Sequence, residues 1–138
     1  MIAVIDTNVV VASFLVRPSD SPVYRIVRGM LEGRFSFLLS VDLLSEYRNV
    51  LLRPAIRRKH GLTNEQVDLF LAEIAFLGIV RELVPSHSAP DPGDNHLWQL
   101  LKAQPGSVLV TGDHELQNNP PGFASVLSPV SFCAQNGI

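Results

Sequence analysis

Cysteine is almost missing from this chain. Cys133 stands alone among 138 residues, which excludes an internal disulfide framework and suits a reducing cytoplasm. No motif beside it supports a nucleophile, so it reads as a half-buried helix residue. No apolar run reaches the roughly 18 residues that a membrane span needs. The first residues lack a basic stretch ahead of an apolar one and do not read as a signal peptide. Charged residues are sparse, 17% against 46% hydrophobic, which argues against disorder. Repeats, low-complexity segments and long linkers are lacking too. One cytoplasmic globular domain over residues 1–138 is therefore expected. No Ser-His or Cys-His arrangement stands out as a nucleophilic pair. His60, His87, His96 and His114 lack metal-ligand spacing and are expected at the surface.

The net charge of −2 predicts no partner, but its distribution is uneven. Residues 17–60 carry nine of the eleven Lys and Arg, whereas residues 61–115 are mainly acidic. The densest basic cluster is Arg53-Pro-Ala-Ile-Arg57-Arg58-Lys59-His60. Such a patch either steers a phosphate backbone or is a solvated helix end.

Hydrophobic patterning alternates strands with helices. Residues 2–6 read as a strand, followed by a helix from Asn8 to about Leu15, a loop Arg17 to Pro22, and a helix to Leu31 ended by Gly33. Phe35–Ser40 reads as a second strand and Val41–Leu52 as a helix stopped before Pro54. Thr63-Asn-Glu-Gln66 looks like a cap opening a helix to Leu77, with Val67, Phe70, Leu71, Ile74 and Leu77 on one face. Ile79–Val84 reads as a third strand, Asp91–Ala103 as a helical segment and Val108–Val110 as a fourth strand. Ser125–Leu127 and Val130–Gln135 suggest an edge strand and a closing helix. The expected fold is α/β, three layers with a mostly parallel sheet of four to five strands.

Carboxylates fall at telling places on that scaffold. Asp6 ends the first strand and Asp113 the fourth, so parallel topology brings both to one sheet edge. Glu46 has Leu43 and Val50 as helix neighbours and so borders the apolar stripe. Asp94 begins the helix after the third strand. Four converging carboxylates repel one another unless a divalent cation sits among them, and hard oxygen donors favour Mg²⁺ or Mn²⁺ over zinc. Each acid also has a plainer reading. Asp6 caps the next helix, or Thr7 or Asn8 does so in its place. Asp91 before Pro92 fits an N-cap, Asp94 complements a helix dipole, and Asp113 caps His114–Gln117.

Val-Ile-Asp6-Thr7-Asn8-Val, Ser40-Val-Asp-Leu-Leu-Ser-Glu46 through Arg53-Pro54, Asp91-Pro-Gly-Asp94-Asn95, Val110-Thr111-Gly112-Asp113 and Ser128-Pro129-Val-Ser-Phe132 follow one another in a recognisable order. Together they resemble the PIN domain family, over essentially the whole chain, and most of all its VapC-like toxin branch. The resemblance implies a metal-dependent endoribonuclease acting on single-stranded RNA, the toxin of a type II toxin–antitoxin pair. Asp6, Glu46, Asp94 and Asp113 would hold Mg²⁺ or Mn²⁺. Thr7, Asn8, Thr111 and Asp91 would support them. Arg48, Arg53, Arg57, Arg58 and Lys59 would hold RNA phosphates. A cognate antitoxin and a homodimer are the implied protein partners. The chain departs from the family pattern at Gly93, where a further acid is common, and in the bulky helix from Leu97.

Two rivals stand beside this reading. A haloacid-dehalogenase-type phosphatase also puts Asp after its first strand, but needs a second Asp where this chain has Asn8. A non-catalytic PIN domain that binds RNA or protein is the other.

Overall fold

The computed structural model describes residues 1–16 and 21–138, so most of the loop expected over residues 17–22 lies outside the described residues. Strand β1 (Ile2–Ile5) leads straight into α1 (Thr7–Leu15), followed by α2 (Pro22–Leu31), β2 (Ser36–Leu39) and α3 (Val41–Leu51). Next come α4 (Pro54–His60), α5 (Asn64–Leu77) and β3 (Ile79–Val80). A 3-10 turn (Pro92–Asp94) then runs into α6 (Asn95–Ala103). The chain closes with β4 (Val108–Val110), α7 (His114–Asn118), β5 (Ser125–Leu127) and α8 (Pro129–Asn136). No helix among the described residues is long and apolar enough to cross a membrane.

All five strands are parallel, in the order β3-β2-β1-β4-β5. Val4, Ile5, Leu38, Leu39, Leu109 and Val110 are fully inaccessible. The inner strands therefore read as continuous apolar runs, as a sheet covered on both faces requires. The chain winds outward from β1 to β3, then returns past β1 to form β4. The strand order reverses between β1 and β4, where a parallel sheet opens a crevice at its carboxyl ends. Pairing of Ile5 with Val110 levels the two strand ends. The Asp6 amide extends the ladder by donating to the Val110 carbonyl at 2.9 Å.

Local sequence explains the helices that frame this crevice. Val9, Val10 and Val11 are weak helix formers, and burial of α1 against α2 and α3 overrides that preference. Ser40 caps α3 by accepting from the Leu43 amide at 3.0 Å. Leu43, Tyr47 and Leu51 then form the buried stripe of α3, which leaves Glu46 at its border. A reciprocal capping box between Thr63 and Gln66 starts α5, as expected. Val67, Leu71 and Ile74 bury its inner face, while Phe70 is half-buried and Leu77 stays 41% exposed. At its end, a Cβ on Gly78 would stand 2.5 Å from Leu39 Cδ1, so only glycine lets the chain pass this close to β2.

Two elements differ from expectation. The basic stretch after α3 is a helix of its own: Pro54 both stops α3 and occupies the first turn of α4, and Gly61 closes it at φ 70°. Strand β3 is two residues rather than six. Its one strand neighbour among the described residues, β2, ends at Leu39, and the Arg81 amide makes the last contact, to the Leu39 carbonyl at 2.8 Å. Cys133 is also deeper than expected, 2% exposed, and burial pushes its thiol up.

Candidate active site

Asp6, Glu46, Asp94 and Asp113 line one cleft of about 440 Å³ at the carboxyl edge of the sheet, together with Thr7, Asn8 and Arg53. Each acid arrives from a different element, which is why sequence spacing alone does not join them. Asp6 is the residue between β1 and α1, Glu46 lies mid-way along α3, Asp94 opens α6, and Asp113 precedes α7.

Asp6 is 4% exposed and heavily bonded. Its Oδ1 accepts from the Thr7 amide at 2.8 Å. Its Oδ2 accepts from Thr111 Oγ1 at 2.8 Å and Asn8 Nδ2 at 3.0 Å. Burial still raises its carboxyl above the usual range, with Glu46 adding repulsion, although the Thr111 and Thr7 bonds pull the other way. Asp6 itself is the N-cap of α1, and neither Thr7 nor Asn8 takes that role. The Thr7 hydroxyl instead donates to Glu46 Oε1. Asn8 bridges to Thr111 Oγ1 at 3.2 Å and accepts from the Gly112 amide at 3.0 Å. Thr111, fully buried, also accepts from the Asp113 amide at 3.0 Å. Thr7, Asn8 and Thr111 thus tie the ends of β1 and β4 together around the carboxylates.

Asp94 is the least satisfied of the four. It is half-buried, and among the described residues its side chain makes no capping bond at the start of α6. Burial, then repulsion from Asp6, Asp91, Glu46 and Asp113, pushes its carboxyl up to about 6. Asp113 spends Oδ1 on the Glu115 amide at 2.9 Å. Asp91 caps the 3-10 turn through the Gly93 amide at 2.8 Å, which is its structural reading.

The donors are all oxygen, and their mutual repulsion is the kind a hard divalent cation removes. Among the described residues, no group of three His, Cys, Asp or Glu side chains is gathered tightly enough to hold an ion as it stands. The residues therefore fit a divalent cation by chemistry and by shared cleft, with side-chain closure needed to ligate it.

The five basic residues do not act alike. Arg53 reaches the carboxylate cleft. Arg48 is paired with Asp68 of α5 at 2.8 Å. Arg57 and Arg58 line a separate hollow with Pro54, Gly61 and Thr63. Lys59 is exposed in the last turn of α4.

Sequence reasoning missed two neighbours of the site, His96 and Tyr47, and misplaced His60 at the surface. His96 is not a surface residue: its side chain is 12% exposed, with Nε2 3.4 Å from Glu46 Oε2. Both its ring nitrogens are buried without a hydrogen-bond partner among the described residues. His60 is half-buried as well, its ring engaged with Leu51 O at 2.8 Å and the Leu62 amide at 2.9 Å. The fully buried Tyr47 donates its hydroxyl to the Ile5 carbonyl beside Asp6, and burial holds its phenol well above the usual range. Its place in the Leu43–Tyr47–Leu51 stripe was the available signal.

A parallel α/β domain with an acidic cleft at its strand-order reversal defines a class of carboxylate-lined α/β folds. Residues 3–115 match the PIN domain family. The chain belongs to the PIN domain family, which is generally a nuclease fold. Its fold is similar to that of the PIN domain of T. brucei RRP44, with a TM-score of 0.51 at 15% identity. That match covers 97% of this chain and 79% of the other. No curated protein matches the chain in sequence.

Proposed function

We propose that this protein is a metal-dependent endoribonuclease that hydrolyses phosphodiester bonds of single-stranded RNA. The observation that carries the reading is the convergence of Asp6, Glu46, Asp94 and Asp113 on one cleft with Arg53 at its wall. Those four carboxylates are the proposed ligands of Mg²⁺ or Mn²⁺. When bound, such a cation supplies an acidified water and neutralises charge at the scissile phosphate.

Residues of the chain account for the rest. Thr111 and Asn8 fix Asp6 Oδ2, and Thr7 fixes one oxygen of Glu46, so these acids are held in place before substrate arrives. Arg53 contacts a phosphate beside the cut, while Arg57, Arg58 and Lys59 on α4 hold the strand further along. Arg48, engaged with Asp68, acts mainly by anchoring α3 to α5. Asp91 adds negative charge near Asp94. The VapC-like motifs support a toxin role in the cytoplasm. A cognate antitoxin that covers the cleft, and a homodimer, complete that reading as protein partners.

The test is Mn²⁺-dependent cleavage of a single-stranded RNA panel by the wild type and Asp6→Asn. The expected result is cleavage by the wild type and none by the variant, with its circular dichroism unchanged. Equal cleavage by both proteins rejects the assignment of Asp6. RNA bound but never shortened by the wild type favours the non-catalytic PIN reading.

A further inference from the structure

The carboxylate cleft does not end at Glu46. A second cleft of about 500 Å³ continues beyond it along α3 and shares Glu46, Val50 and Arg53 with the first. Its remaining polar wall is Asp42, Ser45, Asn49 and His96. Asp42, Ser45 and Asn49 fall at i, i+3 and i+7, on one face of α3. Other polar side chains of α3 are used internally, Tyr47 on Ile5 and Arg48 on Asp68. Those of Asp42, Ser45 and Asn49 are exposed and make no hydrogen bond among the described residues.

The charge of this second cleft disfavours a phosphate as its occupant. Asp42 and Glu46 are acidic, and Arg53 stands at the junction with the carboxylate cleft. Beside the largely buried His96 ring, what remains is a neutral hydroxyl, an amide offering a donor beside an acceptor, and a carboxylate that only accepts. This pattern suits the edge of an unpaired base, and single-stranded RNA is read by hydrogen bonds to such edges. An acceptor-only Asp42 suits an exocyclic amine and repels a carbonyl.

We infer that the second cleft is a base-recognition subsite, taking an unpaired nucleobase with an exocyclic amine next to the phosphate at the carboxylates. The inference rests on the ribonuclease reading above. Arg53, shared by both clefts, holds the phosphate that joins the two positions. Ser45 and Asn49, one helical turn apart, meet the base edge, and Asp42 selects cytosine over uracil.

The experiment measures binding of short oligocytidylate and oligouridylate by fluorescence anisotropy, using the full chain with Asp94→Asn to suppress cleavage. Oligocytidylate is expected to bind roughly fivefold tighter. Adding Asp42→Asn is expected to erase that preference by tightening oligouridylate, and adding Asn49→Ala by weakening oligocytidylate. Equal binding of the two RNAs, no binding of either, or a preference that survives both substitutions overturns the subsite. The wild type with Mn²⁺ is scored separately on the same RNAs. Failure to cut either one, with the base preference intact, counts against the ribonuclease reading and not against the subsite.

Discussion

Asp94→Asn separates electrostatic cost from metal binding in one substitution. The Asp94 carboxyl moves from 3.8 to about 6 because burial and four neighbouring acids disfavour its charge. Its protonated form is thus favoured in the folded state. Below about pH 4 the group is protonated in both folded and unfolded chains, and the variant should match the wild type. Between about pH 4 and 6 the unfolded chain loses its proton first, so the wild type loses stability as pH rises. The full shift corresponds to about 3 kcal/mol, and solvent screening of a half-buried group reduces this to about 1–2 kcal/mol. Urea denaturation of metal-free protein should show Asp94→Asn more stable by that amount at pH 8 and equal at pH 4. Saturating Mn²⁺ should reverse the order at pH 8, because about 100-fold excess over Kd adds roughly 3 kcal/mol to a protein that binds it. A variant no more stable than wild type at pH 8 without metal would refute the crowding of carboxylates. A gain that persists in Mn²⁺ would refute Asp94 as a ligand.

Other outcomes follow from neighbouring contacts. Thr111→Val strips a buried hydroxyl from Asp6, Asn8 and the Asp113 amide. It should cost about 2–3 kcal/mol in urea denaturation and weaken Mn²⁺ binding by roughly 10–100-fold in calorimetry; unchanged Mn²⁺ affinity would contradict the orienting role. Tyr47→Phe removes the bond to the Ile5 carbonyl and should cost about 1 kcal/mol of stability, so an unchanged denaturation midpoint would count against it. Arg57→Glu with Arg58→Glu should lower RNA affinity and flatten its salt dependence by about one unit of slope per lost phosphate contact. An identical slope would remove α4 from the RNA path.

Much of this arrangement was legible because it is written in local chemistry. The Thr63–Gln66 capping box and the Leu43–Tyr47–Leu51 spacing define α5 and α3 from a few residues. That Asp6 and Asp113 share one sheet edge was legible because each ends an apolar strand run, and parallel topology does the rest. What stayed hidden depends on partners distant in sequence. Pro54 ends one helix and begins another, and only the space beside α1 and α3 shows that both happen. Strand β3 stops where β2 stops, not where its own apolar residues run out. His96 follows Asp94 by two positions on a helix start, with nothing local to say that Glu46 lies 3.4 Å away. Arg48 looked like its basic neighbours until Asp68, twenty residues on, claimed it.

The central claim is that Asp6, Glu46, Asp94 and Asp113 together hold a divalent cation. Anomalous diffraction from crystals grown with Mn²⁺ tests it most directly. The account predicts one or two anomalous peaks in the carboxylate cleft, with oxygens of these four residues as protein ligands. A cleft that stays empty at saturating Mn²⁺, or an ion bound elsewhere on the chain, would contradict it.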